Sequence, residues 1–141
     1  MISVMHQIWR VSLLGRSATL AVIPLAGILS WLIGSNVFVA GLVVVGGVFT
    51  AIRFAFHPAV ILTDNDVTVR NPSGSRRVPL DEVVMVEPGY GGLTITTASG
   101  DPVVAWAVQK SNLAKWKGWH TRADDVAATI MSASRSGAAA R

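Results

Sequence analysis

Four cations and two tryptophans crowd one short stretch of the chain. Lys110, Lys115, Trp116, Lys117 and Trp119 fall within ten residues, His120 and Arg122 follow, and no acid lies between Val108 and Thr121. Ammonium and guanidinium groups attract phosphate, and an indole offers a broad apolar face with one polar N–H. Three readings of the stretch stand open. It is a loop docking on anionic lipid head groups, with each basic residue near the surface worth about 1 kcal/mol. It is a protein-binding edge anchored by tryptophan, a residue that dominates interface hot spots. Or it is a covered connection whose tryptophans fill a small core.

The other polar side chains assemble no reaction centre. Cysteine is absent, which removes disulfides, a thiolate nucleophile and Cys-ligated metal. His6, His57 and His120 are scattered and read as interface or cap residues. Asp64 and Asp66 flank a turn, where carboxylates cap backbone amides. Asp81, Glu82 and Glu87 read as a solvated acidic edge. Gly89-Tyr90-Gly91-Gly92 lacks the third spaced glycine and the strand–helix context of a nucleotide loop, so it reads as a β-turn. Arg70, Arg76 and Arg77 surround one turn, but neighbours on a strand face opposite sides, so only one of Arg76 and Arg77 can point into a given pocket. No acid, base and oxyanion donor converge. The expectation is a protein that is not an enzyme and holds no cofactor and no metal.

The elements that position these residues begin with an uncharged run. Ser17 to Ile52 spans 36 residues without a charge, between Arg16 and Arg53. A spanning helix needs about 20 apolar residues. Ser17–Ile33 and Val37–Ala55 meet that need as two transmembrane helices, joined by the turn formers Gly34-Ser35-Asn36. A turn that short makes the helices antiparallel and leaves both chain ends on one side. Arg10, Arg16 and Arg53 put that side in the cytoplasm. A second span directly after the first argues against a cleaved signal peptide. Ala26, Ser30 and Gly34 recur every four residues on the first span, as do Gly47 and Ala51 on the second; small residues at that spacing let helices approach, and are also common in any membrane helix. No ionisable group lies inside the run, which speaks against an ion or proton path. Trp9 and Trp31 read as anchors at opposite interfaces. Ile2 to Leu14 reads either as a short amphipathic helix on the inner surface or as an extension of the first span.

Net charge is +4, and three arginines up to Phe56 supply most of it. From His57 onward nine basic and eight acidic residues nearly cancel, which sets nucleic acid aside as a partner. This half reads as six short strands: Val60–Thr63, Val67–Arg70, Arg76–Leu80, Val83–Val86, Leu93–Thr97 and Pro102–Val108. An antiparallel sheet or partial barrel follows. From Thr121 to Ser134 the period becomes helical, with Ala123, Val126, Ala127, Ile130 and Met131 on one face and Thr121 as N-cap. The small polar residues after Ser134 read as a disordered tail.

Several stretches carry a family likeness: Thr63-Asp64-Asn65-Asp66-Val67-Thr68-Val69-Arg70-Asn71-Pro72, Val78-Pro79-Leu80, Ala105-Trp106-Ala107-Val108-Gln109-Lys110-Ser111-Asn112-Leu113, and Arg122-Ala123-Asp124-Asp125-Val126. From about His57 to Ile130 the chain resembles small actinobacterial two-span membrane proteins with a pleckstrin-homology (PH)-like domain, of the low-molecular-weight protein antigen group. Together with the likeness, the expected fold is an α+β membrane protein: a two-helix transmembrane hairpin over residues 17–56, after a cytoplasmic or interfacial segment 1–16, followed by a small antiparallel β PH-like domain with a C-terminal helix over 57–134, and a disordered tail over 135–141. The expected role is an accessory or scaffold subunit of a bacterial inner-membrane complex, of respiratory or transport class. Its partners would be other membrane-protein subunits and membrane lipids, met through Lys110, Lys115, Trp116, Lys117, Trp119 and Arg122. The alternative is an anionic-lipid-recognising module that uses segment 110–122.

Overall fold

A computed structural model of the chain describes residues 6–34, 36–109 and 116–139. The chain divides into two units, Val11–His57 and the remainder, which takes residues up to Arg10 and from Pro58 onward.

The Val11–His57 unit is a helical hairpin. Helix α1 covers Leu13–Leu32 and begins at Ser12, whose Oγ accepts a hydrogen bond from the Gly15 N–H at 3.2 Å. Pro24 lies inside it. Gly34, at φ +86°, takes the left-handed turn that a side chain would oppose. Asn36 then caps helix α2, Val37–Ala51, by accepting from the Val39 N–H at 3.0 Å. A π-helical turn, Ile52–Phe56, continues α2, and His57 N–H bonds to the Ile52 carbonyl. Thr19 and Thr50 donate their hydroxyls to carbonyls one turn back, Gly15 and Gly46, so neither needs water. Gly15–Leu32 and Val37–Phe56 are both long and apolar enough to cross a membrane. The helices meet through glycine: a Cβ on Gly27 would stand 2.9 Å from Val44 Cγ2, and one on Gly47 would stand 3.3 Å from Ile23.

The other unit is two antiparallel sheets and a helix. Along Asp66–Asn71 and Leu93–Thr97 the buried Val67, Val69, Leu93 and Ile95 alternate with polar residues, the pattern of a sheet with one covered face. The first sheet runs in the order β1 (Gln7–Arg10), β2 (Ala59–Leu62), β3 (Asp66–Asn71), β4 (Gly74–Pro79). A short 3₁₀ turn, Leu80–Glu82, leads to the second sheet of β5 (Val83–Pro88), β6 (Leu93–Thr97) and β7 (Pro102–Ala105). Val60, Leu62, Val67, Val69 and Val78 from one sheet, and Leu93, Ile95 and Ala105 from the other, are buried. On β5 the register slips between Val83 and Met85, so Val83 and Val86 both turn inward while Val84 and Met85 stay exposed. Helix α3, Arg122–Ala139, packs on β5 and the 3₁₀ turn with Ala123, Val126, Ala127 and Ile130 buried. Ser134 donates its hydroxyl to the Val83 carbonyl at 3.1 Å.

The fold is α+β, as expected, with six strands where the alternation predicts them. Four expectations change. Residues 7–10 are a strand rather than part of a helix over Ile2–Leu14, because β2 offers them an edge to pair with; Ile2 and Met5 lie outside the described residues. The hairpin therefore does not precede the sheet unit but interrupts it between β1 and β2. Trp9 lies opposite Val60 within the sheet. Helix α3 runs on to Ala139, past Ser134, since small helix formers continue its turns. The strand expected over Pro102–Val108 ends at Ala105, because Trp106 turns away to bond Asn71.

Candidate interaction surface

The basic–aromatic stretch is partly visible. Lys110 and Lys115 lie outside the described residues. Trp116 is 87% exposed and Trp119 53% exposed. Between them Gly118, at φ +66°, takes a left-handed bend. Across the bend the Lys117 ammonium sits 4.8 Å from the centroid of the Trp119 ring, a cation–π contact made on an exposed indole. Neither tryptophan fills the core, which closes the reading of a covered connection for the described part of the stretch.

The end of the stretch is held by α3. Thr121 donates both its backbone N–H and its hydroxyl to one carboxylate oxygen of Asp124, each at 2.7 Å, and its carbonyl accepts from the Asp124 N–H. Two acidic residues in the first turn also suit the positive end of the helix. His120 Nε2 lies 2.6 Å from Asp125 Oδ1, an exposed pair of small energetic weight. Arg122 is exposed one residue beyond Thr121.

The arginines around the β3–β4 turn do not converge. Arg76 approaches Asp101 at 3.8 Å, and Arg77 approaches Asp66 at 3.6 Å on the other face. Arg76 lines a shallow concavity of about 270 Å³ with Asn71, Ser73, Ser75 and Val104. Among the described residues no group of three His, Cys, Asp or Glu side chains is placed to hold a metal ion.

Asn71 has a role that its local sequence does not announce. Its amide nitrogen donates to the Val104 carbonyl at 2.6 Å, and its oxygen accepts from the Trp106 N–H at 3.0 Å. One side chain thus ties the end of β3 to the end of β7 and sets where Trp106, 42% exposed, leaves the sheet. The sole signal was an Asn-Pro pair after an alternating run, which points to a turn and not to a distant partner.

In the hairpin, Ala26 and Gly47 line one apolar groove of about 430 Å³ with Ala18, Val22, Ile23 and Val43. Ala51 is buried and Ser30 half-buried. Gly34 serves the turn, with open space around it, rather than a helix contact. Gly27, not singled out in the sequence, makes the tightest approach.

Comparison with known proteins gives one family match. Residues 57–115 match the family model described as bacterial PH domain. The match supports a PH-like domain over residues 57–115. No curated protein and no solved structure matches the chain.

Proposed function

We propose, from the premise of a PH-like domain joined to two apolar helices, that the protein is a non-catalytic accessory or scaffold subunit of a larger inner-membrane complex. The hairpin anchors it in the bacterial cytoplasmic membrane, with the turn at 34–36 outside and both chain ends inside. The PH-like domain meets partner subunits on the cytoplasmic face, and the host is of respiratory or transport class. The kinship with the actinobacterial antigen group belongs to the same proposal.

One observation carries this reading: Trp116 and Trp119 expose most of their surface on the domain. An indole in water gains more than most side chains from being covered by a partner. The hairpin supports the reading from the other side. With no ionisable residue from Ser17 to Ile52, it offers no path of its own, and its role is to hold the domain in place. The test is purification of the full chain in a gentle detergent, followed by mass spectrometry. Stoichiometric membrane subunits should accompany it, and the Trp116→Ala, Trp119→Ala double variant should lose them at unchanged expression. A parent chain that purifies alone overturns the reading.

A second reading rests on the Lys117 ammonium held over the Trp119 ring. A cation stacked on an indole at the surface suits the head-group layer, where phosphate lies beside apolar chains. On this reading Lys110, Lys115, Lys117 and Arg122 recognise anionic lipid. Replacing the three lysines with Gln in the full chain, reconstituted in nanodiscs with brominated lipid, should weaken tryptophan quenching with phosphatidylglycerol and not with phosphatidylcholine. The difference should shrink at high salt. Equal quenching of variant and parent removes this reading.

A further inference from the structure

The first rung of the sheet pairs residues that flank the hairpin in sequence. Strand β1 precedes the hairpin and β2 follows it, and Arg10 stands opposite Ala59. Cα atoms so paired are about 4.5–5.5 Å apart. Val11 and Ser12 alone join Arg10 to α1, and His57 and Pro58 alone join the π-helical turn to β2. Each helix is thus tied to its strand by two residues of chain. Within the hairpin, the same two ends are also held by the Arg16 guanidinium, 5.3 Å from the centroid of the Phe56 ring.

The spacing of the helices is set further along. Gly27 lies so close to Val44 that one added carbon would stand 2.9 Å from its Cγ2. Val44 is β-branched and stiff, so it does not rotate away freely. By contrast Gly41 has open space around it. The strand that would yield to a change in spacing is β1. It has four residues, it forms the edge of its sheet, and Ile8 in it is 46% exposed. Short edge elements with few buried contacts open first.

We propose that the β1–β2 rung couples the apolar hairpin to the PH-like domain. The separation of α1 and α2 sets whether β1 stays paired, so a protein packing against the hairpin in the bilayer changes the edge of the sheet on the cytoplasmic side. The coupling rests on the membrane reading of the two helices. It makes the segment before the hairpin a working part of the domain.

The absence of cysteine provides a clean test. The rung spacing suits a disulfide, so the full chain carrying Arg10→Cys and Ala59→Cys, oxidised in native membranes, should crosslink within one chain. Adding Gly27→Leu should slow crosslinking at least threefold, Gly27→Ala should slow it less, and Gly41→Leu should leave it unchanged. Equal rates for the Gly27 and Gly41 variants overturn the coupling. A parent pair that does not crosslink overturns the rung itself. Alkaline-carbonate extraction of the same membranes separates the premise from the coupling: a chain released as soluble protein, crosslinked or not, overturns the membrane reading and the proposal with it.

Discussion

Asn71 and Trp106 are 35 residues apart, yet the Asn71 side-chain oxygen accepts the Trp106 N–H at 3.0 Å. The same amide donates to the Val104 carbonyl, so both of its polar atoms serve one neighbouring strand end. This pairing joins the first sheet to the second.

Replacing Asn71 with Ala therefore leaves the Trp106 N–H and the Val104 carbonyl without these bonds. A cost of about 1–3 kcal/mol is expected for such loss in a partly buried site. Thermal melts of the full chain in detergent should show a lower Tm for Asn71→Ala, while Ser73→Ala in the adjacent turn stays within about 0.5 kcal/mol of the parent. Equal melting of the two variants would count against the clamp.

Helix α3 closes the two-sheet unit through Ile130, which is fully buried. Ile130→Ala should destabilise by about 2–5 kcal/mol through lost burial and the cavity left behind. Proteolysis should then cut first in α3, whereas Ser132→Ala on its exposed face should leave the digestion pattern as it was.

Gly92 sits at φ +133°, and a Cβ there would collide with the Ala105 carbonyl. Gly92→Ala should cost about 1–3 kcal/mol from backbone strain alone, with the clash added. Gly91 has open space, so Gly91→Ala serves as the control. Denaturant midpoints of the pair would decide the matter, and matched midpoints would contradict the close approach.

The proposed topology has its own measurement, because any introduced cysteine is the sole one in the chain. Ser35→Cys in the inter-helix turn should react with a membrane-impermeant maleimide in intact cells. Ser99→Cys in the β6–β7 turn should react only after the cells are opened. Labelling of Ser99→Cys in intact cells would reverse the orientation.

What was legible in the residues is what repeats locally. The uncharged run, the alternation from Val67 to Arg70 and from Leu93 to Thr97, and the helical stripe of Ala123, Val126 and Ile130 each follow from a period of side chains against one environment. The N-cap at Thr121 was legible for the same reason, since its partner Asp124 is three residues away. The composition of the Lys–Trp stretch was equally plain, but its exposure was not. Whether an indole is covered depends on distant elements, and here α3 and the sheets fill the core with Ile130, Leu93 and Ile95 instead.

The sequence by itself determined two apolar helices joined by a tight turn, a run of short strands, and a closing amphipathic helix, because each depends on residues near one another along the chain. Only the tertiary structure decided that Gln7–Arg10 is the first strand, so that the hairpin falls in sequence between the first two strands, and that Asn71 reaches Trp106. Four residues carry too short a pattern to declare a strand. They become one because β2 presents unpaired backbone groups beside them, and a buried backbone donor or acceptor is costly to leave without a partner.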